Sequence, residues 1–217
     1  MTVAGQVVAD PMRAYYHRRA EEYDEWWLGT GSFAARERPG WADEVAELIA
    51  LIRSLPPGRT LDVACGTGFL TQHLAGDVTG LDQSPAMISR AQECCPGFDF
   101  LCADAVPLPF EDDSFDVVFT SHFYGHLLPE ERTQFLCEAR RVGKRLVVID
   151  AALRPDVKPE QWQERSLGDG SVHSVYKRYF TASELAEEIE GTTLHAGRWF
   201  VVADCQSEEV EPDHAVG

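Results

Sequence analysis

The sequence predicts an α/β protein in which helices cover both faces of a mostly parallel, seven-stranded sheet. Strand-like and helix-like segments alternate through the middle of the chain, and this alternation is typical of a parallel sheet in a three-layer sandwich. After the last predicted helix, residues 192–195 and 199–205 form two further strand-like runs around Gly197. A short connection of this kind predicts an antiparallel hairpin at the C-terminal edge of the sheet.

The N-terminal part of the chain is predicted to be helical. Residues 13–27 have helical spacing, and a second amphipathic stretch over residues 39–55 is stopped by the Pro-Pro-Gly sequence at residues 56–58. The alternating segments then follow. The predicted strands are residues 60–64, 78–81, 98–103, 115–121 and 145–150, and the predicted helices are residues 69–75, 85–94 and 129–142.

Two of the predicted helices have clear starting signals. Ser84 followed by Pro85 combines a capping oxygen with a proline at the first helical position. Thr181 and Glu184 have the spacing of a capping box, which predicts a helix running to Ile189.

Composition limits the class of protein. With 217 residues, 44% of them hydrophobic and 25% charged, the chain fits a single globular domain. The formal charge of −17 argues against nucleic acid or an anionic membrane as a partner. The N-terminus lacks the pattern of a secretory signal. The six cysteines include no C-x-x-C pair, which predicts reduced thiols in a cytoplasmic enzyme and no metal site.

The most informative segment is the end of the first predicted strand. Residues 60–68 read Thr-Leu-Asp-Val-Ala-Cys-Gly-Thr-Gly. Gly66 and Gly68 can adopt positive φ and allow a ligand to approach the backbone closely. The second strand ends at Asp82, about 20 residues after Asp62, where a carboxylate can accept both hydroxyls of a ribose. A glycine turn with an acid at this distance predicts a nucleoside site.

The form of the turn indicates which nucleoside. A dinucleotide site uses G-x-G-x-x-G, and the third glycine is missing here, which disfavours a nicotinamide enzyme. Asp62 suits a ligand that carries an ammonium and repels a pyrophosphate. Residues 61–68 resemble the first motif of class I S-adenosylmethionine (SAM) methyltransferases, with Ala64 in place of the usual first glycine. The element order also resembles the Rossmann-like fold of that family.

The resemblance implies one methyltransferase domain with SAM as its cofactor. Residues 1–57 would form a lid and the first helices, 58–150 the SAM-binding core, 151–180 a substrate-binding insert, and 181–217 the last helix and the edge hairpin. The lid would close over SAM, Met87 would pack on the adenine, Asp104 would accept from its amine, and Ser121 would lie against the methionine part. The implied cofactor-binding residues are Tyr15, Arg19, Tyr23, Asp62, Ala64, Gly66, Asp82, Gln83, Met87, Asp104, Ala105 and Ser121.

The acceptor side follows the fourth strand. His122 and His126 lie where the family places active-site residues, and an imidazole can take a proton from a hydroxyl or hydrogen-bond the acceptor. Residues 165–179 fit R-x-L-x-D-G-(x)6-K-x-[FY], which resembles an insert of natural-product O-methyltransferases, including enzymes of small phosphonates. That resemblance implies an anionic head group held by basic side chains. The predicted substrate-binding residues are Tyr16, Tyr124, Arg165 and Lys177.

Several functions remain open from the sequence. The first is methyl transfer to a small-molecule acceptor, at an oxygen of an anionic (carboxylate or phosphonate) or hydroxyl metabolite. The second is N-methylation of a small amine such as an aminosugar, which the acidic surface would suit. The third, from another class, is a SAM- or nucleoside-binding protein without chemistry, if the histidines are structural. The acceptor and the oligomeric state are left open.

Overall fold

A seven-stranded sheet forms the centre of the computed structural model, which describes residues 11–206. The strands of this sheet are β1 (Gly58–Val63), β2 (Gly76–Asp82), β3 (Asp99–Cys102), β4 (Val117–Ser121), β5 (Arg145–Ala151), β8 (Thr192–Ala196) and β9 (Phe200–Gln206). Their spatial order is β3-β2-β1-β4-β5-β9-β8. The first five strands are parallel, and β9 runs antiparallel to both β5 and β8. The predicted fold class is confirmed.

Helices lie on both faces of the sheet. They are α1 (Pro11–Arg19), α2 (Tyr23–Leu28), α3 (Trp41–Ser54), α4 (Pro85–Cys94), α5 (Pro129–Val142) and α6 (Ala182–Glu188). Alternate residues of β5 separate the two layers: Val147 and Ile149 pack in the cluster that contains α3 side chains, and Val148 packs in the cluster of α5 and α6. Strands buried on both faces are typical of parallel sheets. The core therefore consists of two apolar layers that hold the strand ends in place.

The predicted helix over residues 69–75 is wrong. The structure has only a 3₁₀ turn at Thr71–His73 there. Gly76 pairs with Gly58, so the chain must return along the whole of β1, which is about 20 Å for six residues. Seven residues of α-helix would cover only about 10 Å. A 3₁₀ turn with extended flanks reaches further per residue, and the short connection takes that form.

The predicted N-terminal helix is divided into α1 and α2. The two pieces contact different parts of the molecule, because α1 packs against a hairpin formed by residues 160–178 and α2 packs on the glycine turn. In α2, the Asp24 carboxylate accepts a hydrogen bond from Thr67 Oγ1 at 2.5 Å. The break places Tyr23 on a different helix from Tyr15 and Arg19, so these three side chains do not share one helix face.

A separate two-stranded sheet, β6 (Glu160–Ser166) and β7 (Val172–Arg178), lies between β5 and α6 in the chain. The turn of this hairpin contains Asp169 and Gly170, and Gly170 has a φ of +81°. The tip of the hairpin contacts the N-terminal helices, since Gly168 N donates to Glu22 Oε2 at 3.1 Å. No helix within residues 11–206 is both long enough and apolar enough to cross a membrane.

Candidate active site

A cavity of about 360 Å³ opens at the carboxyl ends of β1, β2, β3 and β4. Ligands of open α/β sheets bind at this edge, and the volume is within the range of small-molecule sites. The structure brings many of the predicted site residues together in its wall. Those that line the cavity are Tyr16, Tyr23, Ala64, Gly66, Asp82, Gln83, Asp104, Ala105, Ser121, His122 and His126.

The glycine turn after β1 forms the floor of the cavity. Gly66 and Gly68 have positive φ angles of +57° and +82°, and Ala64 has a φ of +58°. The Tyr23 ring lies over the turn, because a Cβ added at Gly66 would stand 3.5 Å from Tyr23 Cε1. The backbone here is thus open to a ligand on one side and covered by α2 on the other.

Asp82 lies at the end of β2 and is almost fully buried. Its two carboxylate oxygens accept hydrogen bonds from Ser84 N at 2.8 Å and Gly66 N at 3.1 Å. Burial raises the pKa of Asp82 to about 6, although these amides favour the charged form. Each oxygen keeps a further lone pair, so the carboxylate can accept two hydroxyl groups from a ligand in the cavity.

Asp62 does not line the main cavity. It lies in a smaller cavity of about 20 Å³ that shares Tyr23, Ala64 and Ser121 with the larger one. The Asp62 carboxylate accepts a hydrogen bond from Thr71 Oγ1 at 2.6 Å. Burial raises its pKa to about 7 despite this hydrogen bond. No ion pair to a cation neutralises Asp62 or Asp82 within residues 11–206.

His122 follows β4 directly and has a φ of +55°, which costs a residue with a Cβ about 1–3 kcal/mol. Its backbone N–H donates to Ile149 O at 2.9 Å, and its ring is enclosed by Trp26, Trp27 and Phe200 at centroid distances of 4.9, 5.2 and 5.4 Å. Burial lowers the pKa of His122 to about 3, so the imidazole is neutral at physiological pH. Its Nε2 atom is buried and has no hydrogen-bond partner among residues 11–206.

His126 lies in a 3₁₀ turn at Tyr124–His126. Its Nδ1 atom is 2.6 Å from the carbonyl oxygen of Tyr176. Because a carbonyl only accepts, this contact assigns the proton to Nδ1 and leaves Nε2 with a lone pair. Burial lowers the pKa of His126 well below its ordinary value. Both predicted histidines are therefore neutral and reach the cavity.

Tyr15, Arg19 and Arg165 are not among the residues that line the cavity. The Arg19 guanidinium is buried and donates to Tyr15 Oη at 2.8 Å, and it also lies over the ring of Tyr23 at 4.9 Å. Arg165 is half-buried, donates to Gln163 Oε1 at 3.0 Å and lies 5.9 Å from the Tyr15 ring centroid. Neither guanidinium forms an ion pair with a carboxylate of residues 11–206.

Three further predicted residues do not line the cavity. The Lys177 ammonium is buried in an ion pair with Asp150. The Tyr124 ring lies in the core, and its hydroxyl donates to Glu188 Oε1 at 2.9 Å. Met87 is fully buried in the first turn of α4. Their predicted roles remain predictions.

Some cavity residues were missed by the sequence reading. Glu131 and Gln134 reach the cavity from the first turns of α5, and Met12 reaches it from α1. A helix that follows a parallel strand begins at the ligand edge of the sheet, so the start of α5 was a usable signal for the first two. Met12 had no such signal.

The unpartnered polar atoms support a bound nucleoside with an amino-acid tail. Ser121 Oγ is buried without a partner next to the smaller cavity, and Asp62 offers a carboxylate to an ammonium there. Asp82 and Asp104 line the larger cavity, where hydroxyls and an exocyclic amine need acceptors. The residues present therefore fit SAM. No group of three or more metal-ligating side chains is found in the part of the chain described.

A protein-family model described as a methyltransferase domain matches residues 61–148. Phthiotriol/phenolphthiotriol dimycocerosates methyltransferase 1 of Mycobacterium ulcerans (strain Agy99) is 36% identical to the chain over 172 residues. That match covers 73% of this chain and 60% of the relative, so the chain spans less than two thirds of that protein.

Two solved structures of DhpI share the fold. A DhpI–SAH complex aligns with a TM-score of 0.70 and 25% identity, over 91% of this chain and 95% of that chain. A DhpI–SAM–HEP complex aligns with a TM-score of 0.73 and 24% identity, over 94% and 100% of the two chains.

Proposed function

We propose, because the chain belongs to the class I SAM-dependent methyltransferase family, that it transfers a methyl group from SAM to an oxygen of a small anionic acceptor. The observation that carries the proposal is the pair Arg19 and Arg165. Both guanidiniums are at least half-buried beside the cavity, and neither has a carboxylate partner within residues 11–206. A buried cation without a counterion is costly, and an anionic ligand would remove that cost.

His122 and His126 line one end of the cavity, which we call the acceptor end, and the charge of Arg165 acts on both. Burial is the main reason for the low pKa values of His122 and His126, and Arg165 lowers both further. The guanidinium fork suits a carboxylate or a phosphonate, because it can donate two parallel hydrogen bonds. Tyr16 lines the same end, and burial raises its pKa to about 12, so it remains a hydroxyl donor.

In this proposal three aspartates hold the cofactor. SAM, when bound, supplies a methyl group on a positively charged sulfur. Asp82 accepts from the ribose hydroxyls, Asp104 from the adenine amine, and Asp62 from the ammonium. An ionised Asp62 and Asp82 also favour the cofactor's positive charge.

The protein contributes to the reaction by positioning the acceptor and the cofactor relative to each other and by excluding water from the cavity. A carboxylate or phosphonate oxygen is already nucleophilic, so no base is required. His122 and His126 are neutral and form part of the cavity wall beside the acceptor, while Arg165 holds its charge. Correct placement of two reactants contributes as much as about 7–11 kcal/mol in favourable cases.

The test is labelled SAM with a panel of small carboxylates, phosphonates, phenols and amines. Arg165→Ala should raise the KM of the anionic acceptor by about 10- to 100-fold, because a charge-assisted contact is lost. Affinity for S-adenosylhomocysteine should stay unchanged. Arg18→Ala, an exposed arginine of the same helix as Arg19, is the matched control. An amine acceptor, or normal kinetics of Arg165→Ala, would contradict the anionic assignment.

A hydroxyl acceptor is the second candidate, and the unpartnered Nε2 of His122 favours it. That atom has no donor among residues 11–206, so it can accept a hydrogen bond from a bound hydroxyl and orient it towards the methyl group. A thousandfold loss of kcat in His122→Ala would favour this candidate over the direct attack of an anion.

A further inference from the structure

The carboxylate of Asp150 lies directly behind the two histidines. Asp150 is at the end of β5 and is fully buried. One oxygen accepts from Gly125 N at 2.6 Å, and the other accepts from Ala151 N at 2.6 Å and from the Lys177 ammonium. This carboxylate thus joins β5, the 3₁₀ turn that carries His126, and the β7 strand.

The surroundings of Asp150 keep it ionised. Burial alone would raise its pKa, but the Lys177 charge and the hydrogen bonds from Lys177 and Ala151 oppose this effect, and the pKa lies below its ordinary value. Gly125 leaves no room between the partners, since a Cβ there would stand 2.8 Å from Lys177 Nζ and 2.9 Å from Asp150 Oδ1. The negative charge therefore has a fixed position in the structure.

The nearest carboxylate to the His122 ring within residues 11–206 is that of Asp150. The His122 Nδ1 atom is 3.9 Å from Asp150 Oδ1, a distance at which a buried charge acts strongly although no hydrogen bond is formed. The flanking rings of Trp26, Trp27 and Phe200 offer no acceptor. A carboxylate only accepts, so it favours the tautomer with a proton on Nδ1.

We propose that Asp150 is a positioning residue, whose carboxylate holds the His122 imidazole with Nδ1 protonated so that Nε2 presents a lone pair to a hydroxyl group of the methyl acceptor. The Nε2 atom, which has no partner among residues 11–206, then accepts a hydrogen bond from that hydroxyl. This inference rests on the proposed function for its effect on turnover, whereas the tautomer of His122 is independent of any reaction.

The ion pair with Lys177 must be separated from the effect on His122. Asp150→Asn alone would leave the Lys177 ammonium buried without a partner and would risk the fold. The Asp150→Asn/Lys177→Gln double variant removes both charges together. The matched control is Asp204→Asn/Arg145→Gln, because Arg145 begins the same strand and pairs with Asp204 at 2.6 Å.

Nitrogen NMR spectra of the imidazole give the first readout. In the unmodified protein, His122 should carry its proton on Nδ1, and the Asp150→Asn/Lys177→Gln variant should shift the proton to Nε2 at least in part. The Asp204→Asn/Arg145→Gln variant should keep the original tautomer. A proton on Nε2 in the unmodified protein, or no change in the Asp150 variant, would overturn the proposal whether or not methyl transfer is observed.

Turnover gives the second readout. The Asp150→Asn/Lys177→Gln variant should lose about 10- to 100-fold in kcat/KM, which corresponds to one buried hydrogen-bonding group left without its partner, while its affinity for S-adenosylhomocysteine stays unchanged. In a His122→Ala background, the same two substitutions should change kcat/KM less than about twofold. Recovery of full activity in the double variant would show that Asp150 serves only as the counterion of Lys177.

Discussion

Two buried aspartates beside the glycine turn give the cofactor end of the cavity its charge. Asp62 and Asp82 are each less than a tenth exposed, and neither forms an ion pair within residues 11–206. Two guanidiniums near the cavity, Arg19 and Arg165, have no carboxylate partner within residues 11–206. Arg19 lies over Tyr23, near the glycine turn, whereas the charge of Arg165 acts on His122 and His126.

Asp82→Ala should weaken S-adenosylhomocysteine binding by about 1–3 kcal/mol, because two ribose hydroxyls lose a buried acceptor. Isothermal titration calorimetry measures the affinity directly. Asp77→Ala is the matched control, since Asp77 is an exposed residue near the other end of β2. Unchanged affinity in a folded Asp82→Ala variant would contradict the ribose assignment.

Asp62 predicts a pH-dependent stability in the absence of cofactor. Burial raises its pKa from 3.8 to about 7, so its protonated form contributes stability that is fully present below pH 3.8 and is lost as the pH rises through 7. Asp62→Asn cannot ionise and keeps an oxygen for the Thr71 hydroxyl. Its advantage in unfolding free energy over the unmodified protein should grow by about 2–3 kcal/mol between pH 5 and pH 8.

Urea unfolding at the two pH values checks this. Buried neutral histidines such as His122 make the folded protein less stable as the pH falls, in the variant and in the unmodified protein alike. Only the difference in unfolding free energy between the two proteins is therefore diagnostic of Asp62. An advantage that is the same at both pH values would mean that Asp62 titrates normally.

At the scale of elements, the predicted helix starts are confirmed, whereas the helix predicted for the short connection over residues 69–75 is wrong. Ser84 and Thr181 cap α4 and α6 as predicted, because these contacts are local in the sequence. Residues 69–75 have helical spacing, but the distance back to Gly76 is set by the register of β1 and β2, which spacing does not reveal. The glycine turn itself was predicted, and its Ala64 position holds a positive φ that the sequence does not indicate.

Ala64→Gly should increase the free energy of unfolding by about 1 kcal/mol, because glycine adopts positive φ without the Cβ clash. Chemical denaturation measures the change. Ala50→Gly in the exposed middle of α3 is the control and should decrease stability by about 1 kcal/mol. A loss of stability at both positions would show that Ala64 is not strained.

At the scale of the whole molecule, the sequence charge of −17 opposes the approach of an anionic acceptor. The net negative charge could be read from the composition, and the resemblance to natural-product O-methyltransferases predicted Arg165 as a substrate-binding residue. The partner of Lys177 was not predictable, because Asp150 lies 27 residues away in the sequence and meets it only when β7 packs on β5. Ion pairs of this kind depend on tertiary packing. A prediction from the sequence therefore counts side chains such as Lys177 as free to bind a ligand when they are paired inside the protein.

Salt should therefore assist the reaction. Raising the ionic strength from about 0.01 M to about 0.15 M shortens the range of surface charges and should lower the KM of an anionic acceptor by about 2- to 5-fold. Steady-state kinetics at several salt concentrations measure this, with a neutral acceptor analogue as the control. A KM that rises with salt would indicate a cationic acceptor.

The tryptophans around His122 also allow ligand binding in the cavity to be followed by intrinsic fluorescence. Trp26 and Trp27 lie beside that imidazole, Trp27 stacks on Phe69 at 5.1 Å, and Trp27 also lines the smaller cavity. Trp162 is 63% exposed on the β6–β7 hairpin, outside the residues that line either cavity. Its replacement by phenylalanine would remove that background, and a change in the emission of the four remaining tryptophans on ligand addition would then report, through Trp26 and Trp27, that the cavity is occupied, without a label.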